Sequence, residues 1–406
     1  MALATRLVSL DDVRAARELL TDVVRVTPLE ECRPLAAKVS GPAWLKCENL
    51  QRAGSFKIRG AYVRIARLSA EERARGVVAA SAGNHAQGVA LAARLLGCSA
   101  TVFMPTGAPL PKVAATKAYG ATVELAGSTV DDALVAAKRF SEETGAIFIH
   151  PFDHFDIVAG QGTVGLEILE QCPDVRTILV GTGGGGLIAG IGAVVKELKP
   201  GVRLVGVQAA GAAAYPQSLA AGQPVPLKGM STIADGIAVG CPGELTFAHV
   251  RALVDDIVTV SEEDISRALL FCLERAKLVV EPAGAAGVGA LLADPHRFEP
   301  PVVVVLSGGN IDPLLLHRVI EHGLAAAGRY LHFTVEFADR PGSLAGLLSL
   351  LAEQGVNVLD VEHFRHDARL HLGEVEVSLS VETKGNEHSE QLLSALRRAG
   401  YKATFS

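Results

Sequence analysis

The segment VVAASAGNHAQGVALAARLLGCSATVFM, residues 77–104, decides the fold. It opens with a short apolar run, Val77–Ala80, and passes through a Gly-containing loop. A helical pattern follows from about Ala86 to Leu96, and Ala100–Met104 reads as the next strand. That is a βαβ unit. The same alternation continues outward, with helices expected over Lys112–Tyr119, Asp131–Thr144, Val158–Glu170 and Leu187–Lys199. Strands are expected over Thr122–Leu125, Ala146–Ile149, Thr177–Val180 and Arg203–Val207. After a less regular stretch, strand Val302–Leu306 and helix Pro313–His322 close the series. Strands alternating with helices imply an α/β domain whose parallel sheet is covered on both faces.

Gly323–Tyr330 reads as a linker, and the pattern then changes. Strand Leu331–Phe337, helix Ser343–Glu353, strands Asn357–Phe364 and His371–Val381, helix His388–Arg398 and strand Tyr401–Phe405 give the order β-α-β-β-α-β. This is the ferredoxin-like α+β unit. The expected domains are 1–325, with a smaller subdomain near 50–150, and 329–406.

Composition narrows the function classes. The chain has 406 residues, 49% apolar, with 42 glycines and a formal net charge of -6. Such a length suggests two or three domains. No run of five or six like charges marks a nucleic-acid or membrane surface. The six cysteines, Cys32, Cys47, Cys98, Cys172, Cys241 and Cys272, form no C-x-x-C pair, which argues against a disulfide framework or a zinc site. Met1 to Val13 has no apolar core and carries Asp11 and Asp12, so it does not read as a signal peptide. The one nearly membrane-like run, 279–293, is interrupted by Glu281 and Pro282. A cytoplasmic setting is expected.

Four loops at expected strand ends carry the chemistry, as ligands of open α/β sheets sit there. In Ser55-Phe56-Lys57-Ile58-Arg59-Gly60, Lys57 follows an aromatic residue and precedes an amphipathic helix. A partly buried lysine loses charge and becomes an imine-forming nucleophile; by itself, Lys57 also reads as an ordinary helix-start lysine. Ser81-Ala82-Gly83-Asn84-His85 presents N–H groups, a hydroxyl and an amide at a helix N-terminus, which suits a carboxylate or simply caps the helix. Gly181-Thr182-Gly183-Gly184-Gly185-Gly186-Leu187 lies between a strand and a helix, where glycines let N–H groups approach a phosphate. It meets the dinucleotide pattern G-x-G-x-x-G, but the next strand ends in Val207-Gln208 without the expected acid. No Gly-Lys-Ser/Thr follows either, so a single phosphate is the better reading, with a structural turn as the alternative. Ser307-Gly308-Gly309-Asn310 follows an apolar strand; Ser307 could bond a ring nitrogen or cap a helix.

Together with Glu48-Asn49-Leu50-Gln51 and His150-Pro151-Phe152-Asp153, these loops resemble, in order and spacing, the serine/threonine dehydratases. These are fold-type II (tryptophan-synthase β-like) enzymes of pyridoxal 5'-phosphate. The resemblance covers about residues 10–325. It implies that Lys57 holds the cofactor covalently and acts as catalytic base, and that Phe56 packs near the ring. Asn84 would bond the ring hydroxyl, Gly183, Gly184, Gly185, Gly186 and Leu187 would cradle the phosphate, and Ser307 would face the pyridine nitrogen. Ser81, Ala82, Gly83, Asn84 and His85 would surround the carboxylate of a small amino-acid substrate.

The tail is similar to an ACT domain, its turn Asp339-Arg340-Pro341-Gly342-Ser343-Leu344 matching the ligand side. Asp339, Gly342, Ser343 and Leu344 would then meet an amino-acid effector. One such domain behind this catalytic domain resembles the medium-length threonine dehydratases. The implied reaction is deamination of L-threonine to 2-oxobutanoate and ammonia, with L-serine giving pyruvate. It would feed isoleucine biosynthesis in a homo-oligomer, dimer or tetramer.

Two departures qualify this. Serine racemases of the family carry a second serine where this chain has Ala82, and the stretch Gln208–Ala214 lacks the carboxylates with which some relatives bind a cation, so no metal is expected. The alternatives are a serine dehydratase/racemase or β-replacement enzyme of the same fold, a nicotinamide oxidoreductase, and a non-enzymatic amino-acid sensor.

Overall fold

The computed structural model describes residues 6–326, 328–365 and 373–405. Met1–Thr5 of the N-terminal segment, Ala327 of the expected linker, and His371 and Leu372 of one expected strand lie outside them. The chain forms two compact units, Met1–Asp312 and Pro313–Ser406.

The first unit holds two sheets. The larger runs in the order Leu29–Glu31, Ala43–Lys46, Val302–Val305, Thr177–Gly181, Arg203–Ala209, Asp256–Val260. All its pairings are parallel except that of the edge strand Leu29–Glu31. The smaller sheet is parallel throughout, in the order Thr122–Leu125, Ala100–Met104, Val77–Ala80, Ile147–Phe148. Helices are required to cover such sheets, and the inner strands are accordingly apolar on both faces. Val77–Ala80 and Val302–Val305 are buried throughout.

The expected elements recur, some such as Val77–Ala80, Ala100–Met104 and Ser343–Glu353 with the same bounds and the others with ends moved by no more than four residues. The stretch between Val207 and Val302 differs: it contains the helices Ala214–Ala221, Glu244–Leu253, Glu262–Phe271 and Pro282–Ala293, and strand Asp256–Val260. Helix Pro282–Ala293 is buried over Pro282–Leu291, so it carries no apolar stripe by which periodicity finds a helix.

One close contact places the candidate lysine. Helix Lys57–Ala66 lies across helix Phe155–Gln171, and a Cβ on Gly160 would stand 2.7 Å from the Gly60 Cα. Beside this crossing lies a desolvated ion cluster. Arg59 donates from Nε and Nη2 to Glu48 (2.8 Å each) and from Nη1 to Glu167 (2.6 Å). Lys46 Nζ donates to Glu167 (2.6 Å) and to the Thr27 carbonyl (2.8 Å). None of the four side chains is more than 5% exposed. Burial pushes the Glu48 carboxyl up; the Arg59 guanidinium, the Thr27 hydroxyl and Lys46 more than reverse this and hold it below the usual carboxylate range.

The second unit has a four-stranded antiparallel sheet in the order Asn357–Phe364, Glu374–Glu382, Tyr330–Ala338, Lys402–Phe405. Its core of Phe333, Val335, Leu347, Leu351, Val377, Leu379, Val381, Leu392 and Leu396 lies between sheet and helices. This is the ferredoxin-like arrangement. Helix Pro313–Ala326, which the sequence reading gives to the first domain, groups with this unit and occupies part of the expected linker. Among the described residues no helix is long and apolar enough to cross a membrane.

Glu48→Gln should lower the unfolding free energy by about 3 kcal/mol, because it leaves a buried guanidinium short of a counter-charge. Denaturant titration followed by circular dichroism measures this; a midpoint equal to the parent's would show that the cluster holds nothing in place.

Candidate active site

The strands Ala43–Lys46, Val77–Ala80, Thr177–Gly181 and Val302–Val305 each lead, at the carboxyl end, into one of the four loops. Lys57 is the first residue of its helix. Its loop is tied to the Ser307 loop: Phe56 N–H donates to the Ser307 carbonyl (3.2 Å), Gly309 N–H to the Gly54 carbonyl (2.9 Å), and Ser55 bridges Gly308. Lys57 Nζ donates to the Pro151 carbonyl (3.0 Å) and stands 5.1 Å from the centre of the Phe56 ring. Burial pulls its pKa down to about 8, opposed by the charge of Glu281. An amine of that kind is uncharged in useful amount near neutral pH and can act as base or nucleophile.

The loop after Val77–Ala80 opens helix Asn84–Leu95. Gly83 N–H donates to Ser81 Oγ (3.1 Å), and a Cβ on Gly83 would meet nothing within 4 Å. His85 differs from expectation in detail: its Nε2 is bonded to the Ile149 carbonyl (2.8 Å), and burial, with the Lys57 charge, pulls its pKa down to about 3. The ring is neutral and engaged, so what this residue leaves open is its main-chain N–H at the helix end.

Asn84 Nδ2 donates to Glu281 Oε1 (2.6 Å), and Asn310 Nδ2 donates to Asn84 Oδ1 (2.7 Å). Glu281 is 4% exposed, and its carboxyl is pushed up to about 7 by burial and by Asp235, against Lys112, Asn84 and Lys57. Sequence reasoning missed it. The available signal was an acid and a proline interrupting the apolar run 279–293. Ser307 is buried.

In the glycine loop, Ala189 N–H is bonded to the Gly185 carbonyl (2.9 Å). Among the described residues, no acceptor meets the N–H groups of Gly183 to Leu187. Tyr215 donates its hydroxyl to the Gly184 carbonyl (3.2 Å), and Gln208 Nε2 donates to the Thr182 carbonyl (3.1 Å), so the carbonyls are held and the N–H groups left open. Gly185 has φ +89°, and a Cβ there would stand 2.0 Å from the Tyr215 hydroxyl; one on Gly184 would stand 2.3 Å from the Phe152 ring. Only glycine fits this cradle.

In the second unit the turn Asp339–Leu344 enters helix Ser343–Glu353 through Gly342, at φ +93°. Ser343 gives its N–H to the Arg340 carbonyl (3.1 Å) and its hydroxyl to the Ala338 carbonyl (3.0 Å), so its donors serve the turn.

Comparison with known proteins agrees with both units. Residues 20–308 match the family of pyridoxal-phosphate dependent enzymes, and residues 334–400 match the ACT domain. An L-threonine ammonia-lyase of Thermotoga maritima is 47% identical, over 98% of this chain and 99% of that protein. The structure of maize serine racemase is similar with a TM-score of 0.74 and 38% identity, over 79% of this chain and 99% of that one. The processed form of threonine deaminase isoform 2 from Solanum lycopersicum gives a TM-score of 0.73 and 37% identity, over 79% of this chain and 91% of that one. A half-buried lysine beside open N–H groups in a glycine cradle, matched by relatives along nearly the whole chain, makes this a member of the pyridoxal-phosphate dependent enzymes, carrying a C-terminal ACT domain.

Proposed function

We propose that the site deaminates L-threonine to 2-oxobutanoate and ammonia, and L-serine to pyruvate. The observation that carries this is a lysine with pKa near 8 whose amine bonds the Pro151 carbonyl, next in sequence to the Phe152 ring that lies against the glycine cradle. The residues present fit the cofactor: the unmet N–H groups from Gly183 to Leu187 would hold its phosphate, Phe56 would pack near the ring, Asn84 would donate to the ring oxygen and Ser307 would face the pyridine nitrogen. When bound, the cofactor supplies the electron sink that stabilises negative charge at Cα. Lys57 Nζ removes the Cα proton. The loop of Ser81, Ala82, Gly83, Asn84 and His85 holds the substrate carboxylate with the N–H groups it leaves open, since those of Ser81 and Gly83 are given to the Phe103 carbonyl and Ser81 Oγ, and aims Cα at that amine. Loss of the β-hydroxyl as water leaves an enamine, which hydrolyses to the oxo acid and ammonia.

Borohydride reduction of the holoenzyme followed by peptide mapping tests the centre of this reading. The label should fall on Lys57; a label on another lysine ends it.

The likeness to a racemase supports a second reading, which the side chain at 82 disfavours. Alanine has no proton to give to the opposite face of Cα. After incubation with L-serine, chiral chromatography should find pyruvate and almost no D-serine. Comparable amounts of the two would mean that another residue supplies the proton.

We assign residues from about 329 to 406 as the effector domain, with Asp339, Gly342, Ser343 and Leu344 on the ligand side. The first domain would run to about 325, in a cytoplasmic homo-oligomer, dimer or tetramer. Threonine deamination supplies a precursor of isoleucine, which makes isoleucine the expected effector. Allosteric coupling is typically about 5–150-fold in affinity. Initial rates against threonine should therefore respond to isoleucine, and a chain ending near Gly323 should stay active and lose the response. Identical rates for the full-length enzyme with and without isoleucine, valine or leucine would leave the domain an assembly role only.

A further inference from the structure

Glu281 is buried at the site, and the reaction as described makes no use of it. It stands at the N-cap of helix Pro282–Ala293 yet does not cap that helix with its side chain. An acid at a helix start ordinarily bonds the first free N–H groups. Here Oε1 is given to Asn84 Nδ2 at 2.6 Å, across 197 residues of sequence. The main chain is fixed as well: Glu281 N–H donates to the Gly308 carbonyl (3.0 Å), and a Cβ on Gly308 would lie 2.2 Å from Oε1. The carboxyl is thus wedged between Asn84 and the loop after Ser307.

Asn84 is held from its other side too. Its Oδ1 accepts from Asn310 Nδ2 (2.7 Å), which also donates to the Ala53 carbonyl (2.8 Å). The Ala53 carbonyl requires the Asn310 nitrogen on that side, and the Asn310 nitrogen requires the Asn84 oxygen. A reversed Asn84 amide would set oxygen against the Glu281 carboxylate and nitrogen against nitrogen. Only one orientation of Asn84 satisfies all partners. In that orientation one Nδ2 hydrogen goes to Glu281, and the other is free to donate.

We propose that Glu281 and Asn310 are positioning residues that lock the Asn84 amide so that it donates to the ring oxygen of the bound cofactor and holds that oxygen as an acceptor, deprotonated. This rests on the proposed placement of Asn84 beside the ring. A donor fixed in a dry site favours the charged form of the oxygen it meets. Lys57, Lys112 and Asp235 are the other charged groups that act on Glu281.

The visible absorption spectrum of the loaded enzyme reads the state of the ring oxygen directly, apart from activity. Glu281→Ala frees the amide on one side and Asn310→Ala on the other, so one variant serves if the other does not fold. Either should move absorbance from the longer-wavelength band of the deprotonated ring to the shorter-wavelength band, with kcat down roughly tenfold. Glu281→Gln, which keeps an acceptor oxygen, should restore most of the parent spectrum. Parent-like spectra in both alanine variants, with the borohydride label still on Lys57, would overturn the proposal and leave the functional reading standing. A parent enzyme that takes no label on Lys57 would instead overturn that reading, and the proposal with it.

Discussion

The Arg59 guanidinium, closed between Glu48 and Glu167 and shielded from solvent, is the constraint on which the site depends. Charges removed from solvent are tolerated only when every one is matched, and here two carboxylates, a guanidinium and the Lys46 ammonium match each other. The elements that bring them are strand Ala43–Lys46 with the turn after it, helix Lys57–Ala66 and helix Phe155–Gln171. None can shift without opening an ion pair in a dry interior. Residues two apart on a helix project to nearly opposite sides. Arg59, drawn inward by its partners, therefore directs Lys57 toward the loops on the other side, where it meets the Pro151 carbonyl.

The same desolvation acts in opposite directions on the two titratable groups it leaves without a full partner. It pulls Lys57 down to about 8 and pushes Glu281 up to about 7. Near neutral pH Lys57 is therefore uncharged in useful amount, which a base that takes a Cα proton requires. In the Arg59 cluster close pairing prevents this, and Glu48 is held firmly ionised. One part of the interior uses buried charge for rigidity, and the neighbouring part uses it for chemistry.

Much of this was legible in the sequence because it is written locally. Val77–Ala80, Ala100–Met104 and Val302–Val305 are apolar runs ended by glycine or polar residues, and the glycines of 181–186 announce a close backbone approach. What was missed depends on distance along the chain or on burial all round. Glu281 meets Asn84 across 197 residues and Lys46 meets Glu167 across 121, separations over which one sequence carries no pairing signal. Helix Pro282–Ala293 is enclosed nearly all round and so has no amphipathic period. Gln208 entered the sequence reading only through acids it is not, that of a dinucleotide site and those of a cation site. The structure gives it positive work: its amide holds the Thr182 carbonyl, and its carbonyl accepts the Tyr215 N–H (2.9 Å), which stiffens the cradle from behind.

The fold alone does not choose between deamination and racemisation, since solved enzymes named for each superpose on this chain about equally well. The choice rests on which atoms stand on the two faces of Cα. In the proposed placement one face would meet Lys57, its amine uncharged in useful amount near neutral pH. The other would meet the methyl group of Ala82, where the resemblance gives the family's racemases a hydroxyl. A carbanion formed at Cα then has one proton source, the group that made it, and no means of inverting. Expulsion of the β-hydroxyl is the forward path that remains. On this proposal the loop Ser81–His85 would perform two separable tasks: its main chain and the helix end would bind the carboxylate whatever the reaction, and the side chain at 82 would decide which reaction follows.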